Sequence, residues 1–478
     1  MIFLNKRTFY LNALSKSLIV ALLISSCGKG DEWWSLTHPG KDHDKASAPE
    51  ISPEAMPDDP AYKSALVNND YLISSVNLRP WLQSGRHGSR IKIAILDNGF
   101  GGLENSLGKH LPPDLQVFQG PISNQSPTPH GTKLAEVIFA MTSGSADWTS
   151  NSQHPTLKLY NANGFSNFSA AVDQAIRDRV DMIVYSQVWE FGGNFDGRGF
   201  INAVVNKAVS AGILWINAAG NYATSSWQGG LIPNADKTAK LPYSGRYVRL
   251  AVNDPSTPVK ISLSWNDFAD SKDWRTSRDL DLVLLDGRTQ RELTASRKIQ
   301  DGRDHSQNHS QNNNRDGNYS AHAREAIETT LPPGEYLLRV DIKSLNFDSN
   351  SRIRLSANGQ NISFIDQSPD ASVMIPADNP NVLTVGASDD VASSAGVTNG
   401  GIQKPEVVAP SMIQFESGIT FQGSSSAAAV AAATLAVYQD VCGRLTRQQI
   451  VAKITNGLLS QRSTAGRGLW LPATGRCL

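Results

Sequence analysis

Ile91-Lys92-Ile93-Ala94-Ile95-Leu96 is a short apolar strand that ends on Asp97. Downstream of it the pattern alternates. Residues 130–141 place Leu134, Val137, Ile138 and Met141 on one helical face. Residues 157–160 read as a strand, 168–179 as an amphipathic helix and 181–186 as a buried strand. Residues 200–211 are helical, Gly212 breaks them, and 213–217 form the next strand. Strands spaced by helices of this length predict a mainly parallel sheet with helices on both faces, a three-layer α/β/α unit.

After Asn221 the rhythm changes. Residues 259–265 and 279–285 alternate with period two, and the turn Pro333-Gly334 leads into another such run at 335–340. No strong helix interrupts them, which predicts an antiparallel β-sandwich. Residues 381–386 and 404–410 return to the first style. The sandwich is therefore an insertion over 229–367, between two parts of the α/β unit at 61–228 and 368–478. Its two ends must lie close together on the host surface.

At 478 residues the chain exceeds one core, so two folded units and a leader are expected. Lys plus Arg and Asp plus Glu both number 44, and the formal net charge of zero argues against a nucleic-acid partner. Residues 1–26 look like a signal peptide: Lys6, Arg7 and Lys16 precede an apolar run at 18–24 that is too short to span a bilayer. Small residues before Cys27 resemble a bacterial lipoprotein signal, which implies lipidation of Cys27. An ordinary signal peptide with an incidental cysteine is the other reading. Gly28 after Cys27 points to the outer membrane if the source is Gram-negative, and hence to a lipid-anchored place in the bacterial cell envelope. Residues 27–60 are polar and Pro-rich, a flexible linker with a reach of roughly 30 Å. Cys442 and Cys477 remain as a pair that an exported chain can bridge; two buried thiols are the alternative.

Four segments carry chemistry: Asp97, His130-Gly131-Thr132, Asn217-Ala218-Ala219-Gly220-Asn221 and Gly423-Ser424-Ser425-Ser426-Ala427. Taken singly, Asp97 reads as a turn cap, His130 as a capping residue and the serines as an N-cap. Taken together they supply a carboxylate, an imidazole base, an amide donor and a hydroxyl nucleophile, the set that acyl transfer needs. The order Asp, His, Ser is the one associated with subtilisin.

In these segments the chain resembles the subtilase family of serine proteases over about 71–458, the insertion excepted. Ile95-Leu96-Asp97-Asn98-Gly99 is similar to the aspartate motif, with Asn98 where Ser or Thr is common. Val385-Gly386-Ala387 and Val408-Ala409-Pro410 look like the connecting strands. The resemblance implies that Ser425 attacks the scissile carbonyl, His130 takes its proton, Asp97 holds the imidazole and Asn221 donates to the oxyanion. It implies a substrate cleft lined by Ser186, Gln187, Val188, Ala218, Ala219 and Gly220. It also implies a protein or peptide substrate, a monomer, no required cofactor, and activity that rises toward neutral and alkaline pH.

The chain departs from the family at Glu136, where a small residue is usual, at Ala429 in place of a proline, and at Ala433 in place of a glycine. Gln187-Val188-Trp189 is unlike the usual substrate strand, so Trp189 or Glu190 is expected to narrow the specificity pocket. The insertion resembles jelly-roll accessory domains. Calcium at Asp279, Asp281 or Asp286 is one reading of its acidic strand, and exposed acids on an edge strand are the other; no metal site is assigned. The run 303–318, with His305 and His309, reads as a solvated loop rather than a metal site. Two rivals remain. One is a non-catalytic, subtilase-like envelope protein that binds through the sandwich; the other is an acid protease of sedolisin type, against which His130 and Asn221 argue.

Overall fold

The computed structural model describes residues 66–254, 257–271, 275–303, 319–463, 465–473 and 477. The leader, Cys27, the linker and nearly all of the run 303–318 lie outside the described residues.

A nine-stranded sheet forms the centre. Its order is Val117–Phe118, Thr156–Asn161, Lys92–Asp97, Met182–Tyr185, Leu214–Ala218, Leu383–Ala387, Val407–Ala409, Gly466–Leu469 and Ser460–Ser463. Every pairing is parallel except the last, a C-terminal hairpin. The strand that ends at Asp97 pairs with Thr156–Asn161 on one side and Met182–Tyr185 on the other, so the chain order reverses beside it. Open α/β sheets bind ligands at the carboxyl ends of strands at such a switch point.

The period-two alternation of each strand sorts its side chains into two layers. Ile93, Ile95, Leu159, Val184 and Ile216 face the helices His130–Ser143 and Ser424–Cys442. Ala94, Leu96, Tyr160, Ile183 and Trp215 join the core on the other face, which the helices Gly164–Arg177 and Phe200–Ser210 cover. The fold is thus the expected three-layer α/β/α arrangement. The first of these outer helices begins at Gly164, ahead of the expected start at 168.

The antiparallel sandwich is present as two sheets. One holds Glu292–Ser296, Leu280–Asp286, Gly334–Ile342, Val248–Val252 and Ile362–Phe364. The other holds Arg324–Leu331, Thr257–Trp265, Arg352–Asn358 and Ser226–Gly230. The strand Ser226–Gly230 starts before the expected boundary at 229. The sandwich is not an isolated appendage. Leu263, Trp265, Ile353 and Leu355 belong to the same buried cluster as Phe168, Trp189 and Trp215 of the α/β unit. One continuous apolar core therefore fixes the inserted unit against the helical layer.

Candidate active site

Asp97 is the last residue of its strand and is fully buried. His130 is the first residue of its helix, and its Nδ1 lies 2.6 Å from Asp97 Oδ2. The close approach depends on Gly131, because a Cβ there would meet Asp97 Cβ at 2.8 Å and the Phe100 ring at 2.6 Å. Phe421 packs edge-on to the imidazole, with ring centroids 5.2 Å apart. Engagement of Nδ1 by Asp97 leaves Nε2 as the nitrogen for proton transfer.

Ser425 is the second residue of the helix Ser424–Cys442, where the positive end of the helix dipole favours developing negative charge. Its Oγ donates to the Ser186 carbonyl at 2.8 Å, and Ser186 Oγ donates back to the Ser425 carbonyl at 3.2 Å. The next residue, Gln187, donates from Nε2 to Asp97 Oδ2 at 3.3 Å, with His130 Nδ1 also at 3.3 Å. Ser425, Asp97 and His130 are therefore joined through two adjacent residues, Ser186 and Gln187.

Asn221 follows the strand Leu214–Ala218 by one short turn. Its Oδ1 accepts from the Ser424 backbone N–H and from Ser424 Oγ, each at 2.9 Å. Gly220 N in turn donates to Ser424 Oγ at 3.1 Å. With Oδ1 held, Nδ2 is the end of the amide that can serve an oxyanion. Gly423 is required here: its φ is +118°, and a Cβ would meet Asn221 Nδ2 at 2.7 Å. The sequence alone assigns Ser424 no role; its place beside Ser425, on the same helix start, is the available signal.

The expected cleft residues flank Ser425 as two segments. Asn217 Nδ2 donates to the Gln187 carbonyl at 3.3 Å and ties them together. All six, Ser186, Gln187, Val188, Ala218, Ala219 and Gly220, are buried. The expected narrowing by Trp189 is corrected. Trp189 turns into the large core beside Phe168, and its Nε1 donates to the Tyr185 hydroxyl at 2.8 Å. Glu190 accepts from the Tyr222 hydroxyl at 3.1 Å and from Ser262 Oγ at 2.5 Å. Val188 of the first segment packs with Tyr222 and Met374 in a small apolar cluster.

The remaining departures are accommodated by packing. Glu136 is buried and accepts from Ser106 Oγ at 2.5 Å. Ala429 and Ala433 are fully buried in the long helix. Cys442, at the end of that helix, is disulfide-bonded to Cys477. The reading of the acidic strand as an exposed edge is also corrected, because Leu280–Asp286 has neighbours on both sides. Asp281 is buried and ion-paired to Lys343 at 3.4 Å, while Asp286 Oδ1 accepts from the Thr289 backbone at 2.7 Å. Burial, with Asp281 beside it, pushes Asp279 up to about 6. Among the described residues no group of three or more His, Cys, Asp or Glu is placed to hold a metal.

Comparison with known proteins bears on this geometry. Residues 261–468 match the model of the subtilase family, Peptidase_S8. The matched segment contains Ser425 and begins after Asp97, His130 and Asn221. A subtilisin of Bacillus pumilus is 30% identical over 167 residues, which is 32% of this chain and 56% of that protein. Subtilisin amylosacchariticus of Bacillus subtilis subsp. amylosacchariticus is 29% identical over 167 residues, covering 32% of this chain and 40% of its own length. The chain thus spans about half of the curated relatives it matches. Among solved structures, the Clostridium perfringens CspB protease aligns with a TM-score of 0.48 and 14% identity, covering 85% of this chain and 96% of that one.

Proposed function

We propose that this chain is a serine endopeptidase of subtilisin type that hydrolyses protein or peptide substrates through an acyl-enzyme. The observation that carries the reading is the buried Asp97–His130 pair at 2.6 Å, linked through Ser186 and Gln187 to Ser425 at a helix N-terminus. The subtilase match over 261–468 supports it.

In this mechanism Ser425 Oγ forms a bond to the scissile carbonyl carbon while its proton passes to His130 Nε2. Asp97 fixes the ring and stabilises the imidazolium. The negative oxygen is met by Asn221 Nδ2 and the Ser425 backbone N–H. Collapse breaks the C–N bond, and the leaving amine takes the proton from His130. Water then attacks the Ser425 ester while passing a proton to His130, and collapse releases the acid as His130 returns that proton to Ser425 Oγ.

The sequence also supports an exported, lipid-anchored enzyme, with Cys27 as the lipid site and a cell-envelope location. The linker after Cys27 would hold the catalytic unit clear of the membrane surface. Calcium on the sandwich is not needed for this chemistry.

Hydrolysis of casein by the full chain tests the proposal. Release of peptides is expected, and its loss in Ser425→Ala; equal hydrolysis by that variant overturns it.

A further inference from the structure

Val188, Tyr222 and Met374 form a small apolar cluster separate from the two large cores. They are 8%, 3% and 0% exposed. The backbone around Met374 is stitched to both cleft segments. Met374 N donates to the Ala219 carbonyl at 3.3 Å, and Trp189 N donates to the Ile375 carbonyl at 2.6 Å. A Cβ on Gly220 would meet Met374 Cγ at 3.0 Å, so the thioether chain lies against the glycine that precedes Asn221.

A peptide whose carbonyl carbon is at Ser425, with its oxygen toward Asn221, must place the side chain of its acyl residue beside these two segments. The space between them is where Met374 sits. Two residues of the inserted sandwich brace that filling. Arg354, on the strand Arg352–Asn358, donates from Nη1 to the Val373 carbonyl at 2.8 Å and lies 3.3 Å from Met374 Sδ. Its Nη2 donates to the Ala371 carbonyl at 3.2 Å, and the guanidinium stacks over Phe195 at 4.2 Å. On the other side Ser262 and Tyr222 share the buried Glu190 carboxylate. Methionine is ordinarily adaptable. Here swinging it aside would strip a contact from a buried arginine, which disfavours opening.

We propose that Met374, clamped by Arg354 of the inserted sandwich, closes the acyl-side pocket, so that only peptides with a small residue such as Gly, Ala or Ser before the scissile bond are accepted. Met374 is then a specificity-determining residue, and the insertion sets specificity through it. The inference rests on the protease reading above.

The test uses peptide binding, which does not depend on turnover. Full-length Ser425→Ala is titrated calorimetrically with two peptides of identical sequence that end in Ala or in Phe. The Ala peptide is expected to bind at least about ten-fold more tightly, the scale on which an apolar pocket discriminates by size. Adding Met374→Ala should erase or invert that preference; Val188→Ala, which opens the same space from the facing wall, should reduce it. Equal binding of the two peptides before the second substitution overturns the plug. So does an unchanged preference in both double variants, or no binding of either peptide. Failure of the parent chain to hydrolyse casein, with the peptide preference intact, counts against the protease reading alone.

Discussion

Ser424 donates both its backbone N–H and its hydroxyl to Asn221 Oδ1, each at 2.9 Å. This double contact occupies the amide oxygen, so the amide nitrogen, which lies beside Gly423 at the helix start, is the end left to donate. In the proposed mechanism Ser424, the residue before Ser425, therefore orients the Asn221 amide, and both groups share one turn of chain.

The consequence is a graded pair of losses. Asn221→Ala should lower kcat by about 10²–10³-fold with little change in KM, because its amide bonds an oxygen that is charged only in the transition state. Ser424→Ala keeps the donor but loses one of its two supports. A smaller fall in kcat, on the order of ten-fold, is expected there. Steady-state kinetics on a peptide substrate measures both, and a Ser424→Ala loss as large as that of Asn221→Ala contradicts the assigned division of roles.

Much of this was legible in sequence because the relevant signals are local. The apolar strand ending at Asp97 and the helical spacing after His130 dictated the parallel sheet and its covering layers. The shift to period two after Asn221 announced the sandwich. The edge strand Val117–Phe118 was missed, since two residues carry no periodicity. The Met374 contact with Ala219 was also invisible, because the whole sandwich separates the two in sequence. Trp189 and Glu190 looked like cleft residues from their place after Val188. Trp189 bonds Tyr185, four residues upstream at the end of the preceding strand, whereas the Glu190 partner Ser262 comes from the sandwich, which no local pattern ties to it. Gln187 was expected to line the cleft, yet its amide reaches the Asp97 carboxylate.

The sandwich carries its own pH signature at Glu325. Burial pushes this carboxyl from 4.5 up to about 7, against the opposing bonds from Ser296, Gln300 and Lys298. Between those two values the folded state keeps a proton that the unfolded chain has released. Stability contributed by this group is therefore present below about 4.5 and declines as pH rises to about 7. Glu325→Gln does not titrate. The Tm of the parent chain should fall relative to that of Glu325→Gln as pH rises through this window, as followed by circular dichroism. Parallel Tm curves would contradict the assignment.

The Cys442–Cys477 bond spans 35 residues and ties the end of the helix Ser424–Cys442 to Cys477. Closing a loop of that size restricts the unfolded chain by about 3–4 kcal/mol. Cys442→Ser with Cys477→Ser should lose stability of that order in denaturant unfolding, without removing any group of the site. A change under about 1 kcal/mol would show that the bond constrains little of the unfolded ensemble.

The central claim is that Ser425 is a nucleophile activated by His130 and Asp97. Labelling of the full chain with a fluorophosphonate, followed by peptide mapping, addresses it most directly. A single adduct on Ser425 is expected, absent in Ser425→Ala and strongly slowed in His130→Ala. No adduct on the parent chain, or equal labelling of Ser425→Ala, would contradict the claim.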